Sequence, residues 1–387
     1  MLVTETLAKL VSINSVSARS NAEIVEYLAA RCEAAGLKVS RFPYTDDAGI
    51  EKVNLVAQTS VCEPEGGQIQ DSQTEVCATF ELALVGHTDT VPFDPTWIEA
   101  TKLTEREGKL YGRGSCDTKA FIAAALTAIE GFDLKQLKRP LALVFTADEE
   151  IGCLGAKRLA GANIFRARYA IVGEPTSLQP MRAGKGYCLA EITVRGREAH
   201  SAYPAIGASA NFRAARLITT IEQIAEDLKQ ETQSGFEPPY TTLNVGILKG
   251  GTAKNIIAGE CYFTLEWRPV PNQKTGRVLD LVKRAVAELQ TEDPGFECEI
   301  DAARADESFE TPADSPLVRL LEEKTGRPSG SVAFGTEAPQ MISLGAEAVV
   351  FGPGDIRVAH RTGEFVPLDQ LEKCVEVLTT AITRFCM

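Results

Sequence analysis

Histidine is scarce: the 387 residues hold three, His87, His200 and His360. Imidazole chemistry is therefore confined to three positions. Other absences narrow the function further. No apolar run approaches the ~20 residues that cross a bilayer, so no membrane association is expected. The opening MLVTETLAKLVSINSVS lacks a basic start and a long apolar core. It does not read as a signal peptide and is expected to be the first helix. Ten cysteines include no C-x-x-C pair, which favours reduced thiols in a cytoplasmic protein over a disulfide scaffold. There is no G-x-G-x-x-G after the first strand and no G-x-x-x-x-G-K-[ST], which argues against a nucleotide-dependent enzyme. Basic residues are outnumbered, 40 against 53, leaving −13. Such a surface repels phosphate backbones, and no nucleic-acid partner is expected.

What is present is the composition of a globular chain, long enough for more than one domain. Ser20-Asn21-Ala22-Glu23 has capping-box spacing, Ile24, Val25, Leu28 and Cys32 follow at helical intervals, and Gly36 stops the run. Residues 59–78 are polar and read as a surface hairpin or loop. Leu82–Val85, Leu141–Thr146, Tyr169–Val172 and Ala348–Phe351 are short apolar runs of buried-strand type. Between and after them lie helices at Phe121–Ile129 and Leu368–Phe385. Apolar strands alternating with helices predict an α/β fold with a mainly parallel sheet covered on both sides.

The stretch 182–305 reads differently. A strand at Leu189–Val194, a long helix beginning near Ile206, strands at Leu243–Leu248 and Cys261–Trp267, a helix through Val278–Leu289 and a strand near Phe296–Ile300 follow in turn. This β-α-β-β-α-β order is that of a split βαβ sandwich. It predicts an α+β domain inserted into a discontinuous one made of 1–181 and 306–387.

The chemistry gathers at the strand ends. Leu82–Val85 runs into Gly86-His87-Thr88-Asp89, Leu141–Thr146 into Asp148-Glu149-Glu150, Tyr169–Val172 into Gly173-Glu174-Pro175, and Ala348–Phe351 into a loop that reaches His360. In an open parallel sheet these ends share one edge, where sites form. Gly112–Asp117 adds a tight turn whose Asp117 precedes the Ala-rich helix. Each piece alone has an ordinary explanation, as a solvated turn or a helix cap. Their common placement is what those explanations leave unaccounted for. Two imidazoles with several carboxylates suit zinc, whereas magnesium and calcium prefer all-oxygen shells. Two metals need more ligands than one strand end supplies, and a carboxylate between them can bridge. The i, i+2 spacing of His87 and Asp89 points both the same way, which suits Asp89 to hold the far ring nitrogen.

These segments resemble the dizinc aminoacylase/carboxypeptidase family over nearly the whole chain. The resemblance rests on Gly86–Pro92, Gly112-Arg113-Gly114 through Asp117 and Lys119, Asp148-Glu149-Glu150, Gly173–Thr176 and the His360 loop, in this order. It implies two Zn2+ per subunit, with Co2+ able to substitute. Asp117 would bridge, His87 and Glu174 would complete one site, and Glu150 and His360 the other. It further implies a cis peptide between Asp117 and Thr118, and Glu149 as general base toward a water activated by the metals. His200, in Gly196–Pro204, would be a lid-domain histidine that serves the partner subunit's site, and the inserted domain would be a lid through which a homodimer forms.

The implied substrate is a small N-acyl amino acid. Gly335–Pro339, Phe351–Ile356 with Ala359-His360, Gly184-Lys185-Gly186, Pro175–Pro180 and Lys254–Ile257 resemble the branch acting on N2-acetyl-L-ornithine, in arginine biosynthesis. Arg361-Thr362-Gly363-Glu364 departs from that pattern. Lys185, Asn255 and Arg268 are candidates for holding the substrate carboxylate, and Thr336 and Glu337 are further substrate-contact candidates. The alternatives are desuccinylation of succinyl-diaminopimelate, deacetylation of acetylcitrulline, dipeptide cleavage and, outside enzymes, a metal-stabilised binding protein. The last predicts a missing general base, and Glu149 is present.

Overall fold

A computed structural model describes residues 2–59 and 78–387. The loop expected over 59–78 lies, apart from its two end residues, outside the described residues. The chain forms two compact units. One is Met1–Arg182 with Thr311–Gly330 and Thr336–Met387; the other is Ala183–Glu310 with Ser331–Gly335.

The first unit is built on a central sheet. Its strands lie in the spatial order Lys38–Thr45, Glu51–Gln58, Leu141–Thr146, Ala78–His87, Phe165–Val172, Glu347–Val350. The last four pair in parallel, so the sheet is mainly parallel. The first two form an antiparallel hairpin at one edge, joined antiparallel to Leu141–Thr146. Apolar residues occur at consecutive positions because both faces are covered. Leu82, Leu84, Leu141, Leu143 and Ile171 share a core with the helices Val3–Ser12, Ala22–Ala34, Lys119–Glu130 and Leu368–Cys386. On the sheet's flank, Leu154–Gly161 packs on Glu51–Gln58, and Ala338–Ser343 on Phe165–Val172 and Glu347–Val350. In Lys119–Glu130 every residue but Thr127 and Glu130 is buried, and its alanines let it lie close to its neighbours.

The second unit is a four-stranded antiparallel sheet in the order Thr242–Gly250, Glu260–Arg268, Tyr187–Arg195, Glu297–Asp306. Helices Ala210–Leu228 and Arg277–Glu292 share its core, closed by Phe263, Leu265 and Trp267. The element order is the β-α-β-β-α-β predicted from the pattern. This unit runs on to Glu310 and takes in Ser331–Gly335, beyond the boundary at 305. The reason is local pairing: Phe309 and Glu310 pair with Gly184 and Ala183, and Lys185 donates its N–H to the Val332 carbonyl.

Two local expectations change. The long helix begins at Ala210 rather than near Ile206, because Ser209 caps it by accepting the Phe212 N–H at 3.4 Å. The capping box at Ser20 does not form. Asn21 is the cap residue, and its side chain is drawn away to the Val53 backbone and the Thr88 hydroxyl. Among the described residues no helix is long and apolar enough to cross a membrane, and no two of the described cysteines are joined in a disulfide.

Candidate metal centre

Three parallel strands deliver their ends to one edge of the sheet. His87 is the last residue of its strand. Glu174 follows Val172 by two residues. Gly173 between them admits no side chain, since a Cβ there would lie 2.1 Å from Phe121 Cδ1. After Thr146 the chain turns sharply at Asp148, whose φ of 57° is left-handed, and releases Glu149 and Glu150. Asp117 arrives on the Gly112–Asp117 turn, where Gly114 takes φ 73°. The Asp117–Thr118 peptide is cis, as the family resemblance implies. His360 comes from the loop after Glu347–Val350 and is exposed.

The side chains meet in two groups of three, His87, Glu149 and Glu174, and Asp117, Glu150 and His360. In each, potential ligand atoms lie within 4.8 Å of one another. Asp117 links the groups: its Oδ1 is 3.1 Å from His87 Nε2 and its Oδ2 is 3.2 Å from His360 Nε2. His360 Nε2 is also 2.9 Å from Glu150 Oε2. An oxygen of Glu149 falls within the same span as His87 and Glu174, so position alone admits it as ligand or as base. His87 Nδ1 lies 3.0 Å from the Asp89 carbonyl oxygen and 3.7 Å from its carboxylate. That carboxylate instead accepts the backbone N–H groups of Glu149 and Glu150, at 3.1 and 3.3 Å, and the Ser17 hydroxyl at 2.7 Å. Asp89 thus steadies the acid-bearing loop as well as standing beside His87.

The electrostatics are those of crowded acids. Burial pushes the Glu149 carboxyl up to about 8, with Glu150, Glu337 and Asp117 adding their charges and His87 opposing. Burial also raises Glu150 against the pull of His360, and raises Glu174 well above its range with help from Asp117 and Glu149. Burial would lift Asp117 too, but the two imidazoles hold it well below the usual carboxylate range. Burial would depress His87, yet Asp117 and Asp89 outweigh it and keep the imidazole well above its ordinary value. Asp117 and Glu150 bring His360 to about 10. Four carboxylates against two imidazoles cannot all ionise here without added positive charge. Oxygen and imidazole donors in two triads joined by one carboxylate are the donor set a pair of dications requires. The residues present fit a dimetal centre.

Residues the sequence reading passed over complete the frame. Glu364 is fully buried; its Oε1 accepts the N–H groups of Cys116 and Asp117 at 2.9 and 3.1 Å, and its Oε2 pairs with Arg113. The segment that departs from the family pattern thus holds the Asp117 turn. The Cys153 thiol donates to Glu149 Oε1 at 3.3 Å. The Glu364 contact has no local sequence signal, since 247 residues separate Glu364 from Asp117, whereas the Cys153 contact spans four residues. Of the substrate candidates, Thr336 and Glu337 belong to the first unit. Thr336 Oγ1 accepts the Ala338 N–H at 3.2 Å. Glu337 is buried, is pushed up to about 7 by burial, and has one oxygen without a hydrogen-bond partner among the described residues. His200, Lys185, Asn255 and Arg268 belong to the second unit. There His200 is exposed on a two-residue ladder with Ile256–Ile257, and Asn255 is exposed beside it. Lys185 is buried with its ammonium on the Tyr240 carbonyl at 2.7 Å, and Arg268 is bound to Glu266 and the Ala333 carbonyl.

Comparison with known proteins places this geometry. The profile of peptidase family M20/M25/M40 matches residues 83–384. An acetylornithine deacetylase of Myxococcus xanthus is 52% identical over 98% of this chain and 97% of its own. One from Proteus mirabilis (strain HI4320) is 34% identical over 99% and 96%. Among solved structures, a tripeptidase from Staphylococcus aureus superposes with a TM-score of 0.74 at 23% identity, over 99% of this chain and 97% of that one. At that identity the likeness is one of fold.

Proposed function

This chain belongs to peptidase family M20/M25/M40, and from that premise we propose that it hydrolyses N2-acetyl-L-ornithine to L-ornithine and acetate, as a step of arginine biosynthesis in the cytoplasm. It is a metallohydrolase acting on amides. The observation that carries the reading is the pair of ligand triads linked through Asp117, together with 52% identity to a relative named for this substrate.

Two zinc ions are the proposed cofactor. His87 and Glu174 would hold one, Glu150 and His360 the other, and Asp117 both. Such ions supply Lewis acidity, lowering the pKa of a water and polarising an amide carbonyl. The protein's own residues do the rest. Glu149 takes a proton from the attacking water and hands it to the departing amine. Burial among like charges pushes its carboxyl up to about 8, and positive charge held beside it would lower that value. Asp89 orients His87 and the Glu149 backbone through the contacts above. His200 is the proposed donor to the developing oxyanion, reaching the site of the partner subunit. Arg268, Asn255 and Lys185 are the proposed contacts of the substrate carboxylate, and Thr336 and Glu337 those of the rest of the substrate. The second unit serves as a lid and dimerises. Its Thr242–Gly250 strand is an edge with Ile247 and Leu248 exposed, a surface suited to a second copy.

The test is hydrolysis of N2-acetyl-L-ornithine by purified protein, before chelation, after it, and with zinc restored. Activity is expected to disappear and return. Faster turnover of succinyl-diaminopimelate, acetylcitrulline or a dipeptide would displace the substrate assignment. Full activity after complete metal removal would displace the metal.

A further inference from the structure

Lysine is almost never fully buried, yet Lys52 is only 1% exposed. It stands on the antiparallel strand Glu51–Gln58, second from the edge of the sheet, which carries none of the site residues. Its ammonium donates to Asp148 Oδ1 at 2.9 Å, to the Arg19 carbonyl at 2.9 Å and to the Ser17 carbonyl. Three N–H donors meet three acceptors, so the charge is fully satisfied. The other Asp148 oxygen accepts the Tyr44 hydroxyl at 2.8 Å.

Two residues along, on the same face of the strand, Asn54 is equally buried. Its Oδ1 accepts the Ala147 N–H at 3.0 Å and its Nδ2 donates to the Gly155 carbonyl at 3.0 Å. The fit leaves no slack: a Cβ on Gly155 would lie 2.3 Å from Asn54 Oδ1. One strand face therefore grips the loop 147–155 at its start, at its end and at Asp148. That loop carries Glu149 and Glu150. Asp148 is the left-handed residue at which the chain turns. With its side chain anchored on Lys52, the next two acids are turned toward His87 and His360. Lys52 also acts from the far side, since Ser17, whose carbonyl it binds, donates its hydroxyl to the Asp89 carboxylate that holds the Glu149 and Glu150 N–H groups.

We propose that Lys52 and Asn54 are positioning residues that hold the 147–155 loop so that Glu149 meets the substrate in register. The inference rests on the reading of Glu149 as general base. A buried ion pair is not needed to make a core, because exchanging both charges for neutral groups is often nearly neutral in stability. What the pair does that apolar packing would not is fix the direction of Asp148.

Lys52→Met alone would strand Asp148 without a counter-charge, so the informative variant is Lys52→Met/Asp148→Asn. With zinc saturating, its kcat is expected to fall about 10–100-fold with KM nearly unchanged. Amide hydrogen exchange, read on metal-free protein, should quicken within 147–155 and stay at the wild-type rate in the Ala78–His87 strand. Wild-type kcat in the folded variant overturns the proposal, whether or not the loop loosens. Exchange that quickens evenly across the first unit also overturns it, by making the pair a general stabiliser. If Glu149→Ala proves active, the reading of the base fails by itself, and the exchange pattern still decides whether Lys52 and Asp148 hold the loop.

Discussion

The two units build their sheets by opposite rules, and their chemistry differs accordingly. In the first, Leu84, Leu143 and Ile171 lie mid-strand at 0% exposure and their neighbours on the opposite face are buried as well. Such strands are clamped from both sides, and the residues at their ends inherit that rigidity. In the second, burial alternates along Tyr187–Arg195, and Leu248 on the edge strand is 58% exposed. One face of that sheet is free, and its chemically interesting residues, His200 and Asn255, are exposed at a two-residue ladder. The first unit is made to hold charged groups still. The second leaves His200 and Asn255 exposed, as the proposed presenting role requires.

The largest effect that would sharpen this contrast is at Glu149. Glu149→Ala or Glu149→Gln should lower turnover by ~10²–10⁴-fold while two zinc ions per chain remain by elemental analysis. Loss of one zinc would make Glu149 a ligand and leave the first unit without an identified base.

His200→Ala should cost somewhat less, ~10²–10³-fold, as removal of an oxyanion donor does, again with metal content unchanged. A mixture of His200→Ala and Glu149→Ala subunits tests the presenting role. Hybrid dimers should regain part of the activity, because one site then combines its own Glu149 with the partner subunit's His200. If subunit exchange is demonstrated and no activity returns, His200 does not act across an interface.

The smallest effect lies inside the first unit and tests how far its clamped edge tolerates charge. Burial moves Glu337 from 4.5 up to about 7. Between those values the folded chain keeps a proton that the unfolded chain has released, so the stability of metal-free protein falls as pH rises through the window. Glu337→Gln removes this titration. The variant should gain on the wild type between about pH 4.5 and 7 by up to roughly 3 kcal/mol, and the difference should level off above. Urea unfolding at pH 5 and pH 8 checks it; a difference independent of pH would show that Glu337 ionises normally.

Much of this arrangement is legible without coordinates. Uninterrupted apolar runs at Leu82–Val85, Leu141–Thr146 and Tyr169–Val172 read as strands buried on both faces, and such strands are characteristic of parallel sheets whose strand ends share one edge. That edge is where His87, Glu149, Glu150 and Glu174 were expected to converge, and the scarcity of histidine singled out His360 as their companion. The alternation of burial in 182–305 likewise follows from residue type alone, because period 2 and period 3.6 are written in the order of apolar side chains. Tertiary structure decided the rest. That Asp89 receives the Glu149 and Glu150 N–H groups, that Glu364 cradles Asp117, and that Lys52 and Asn54 grip the acid loop all depend on contacts between residues 60 to 247 positions apart. Lysine, asparagine and glutamate on polar-looking segments carry no periodic signal. Only packing removes them from water, and once there each needs a partner that the fold alone can bring within hydrogen-bond distance.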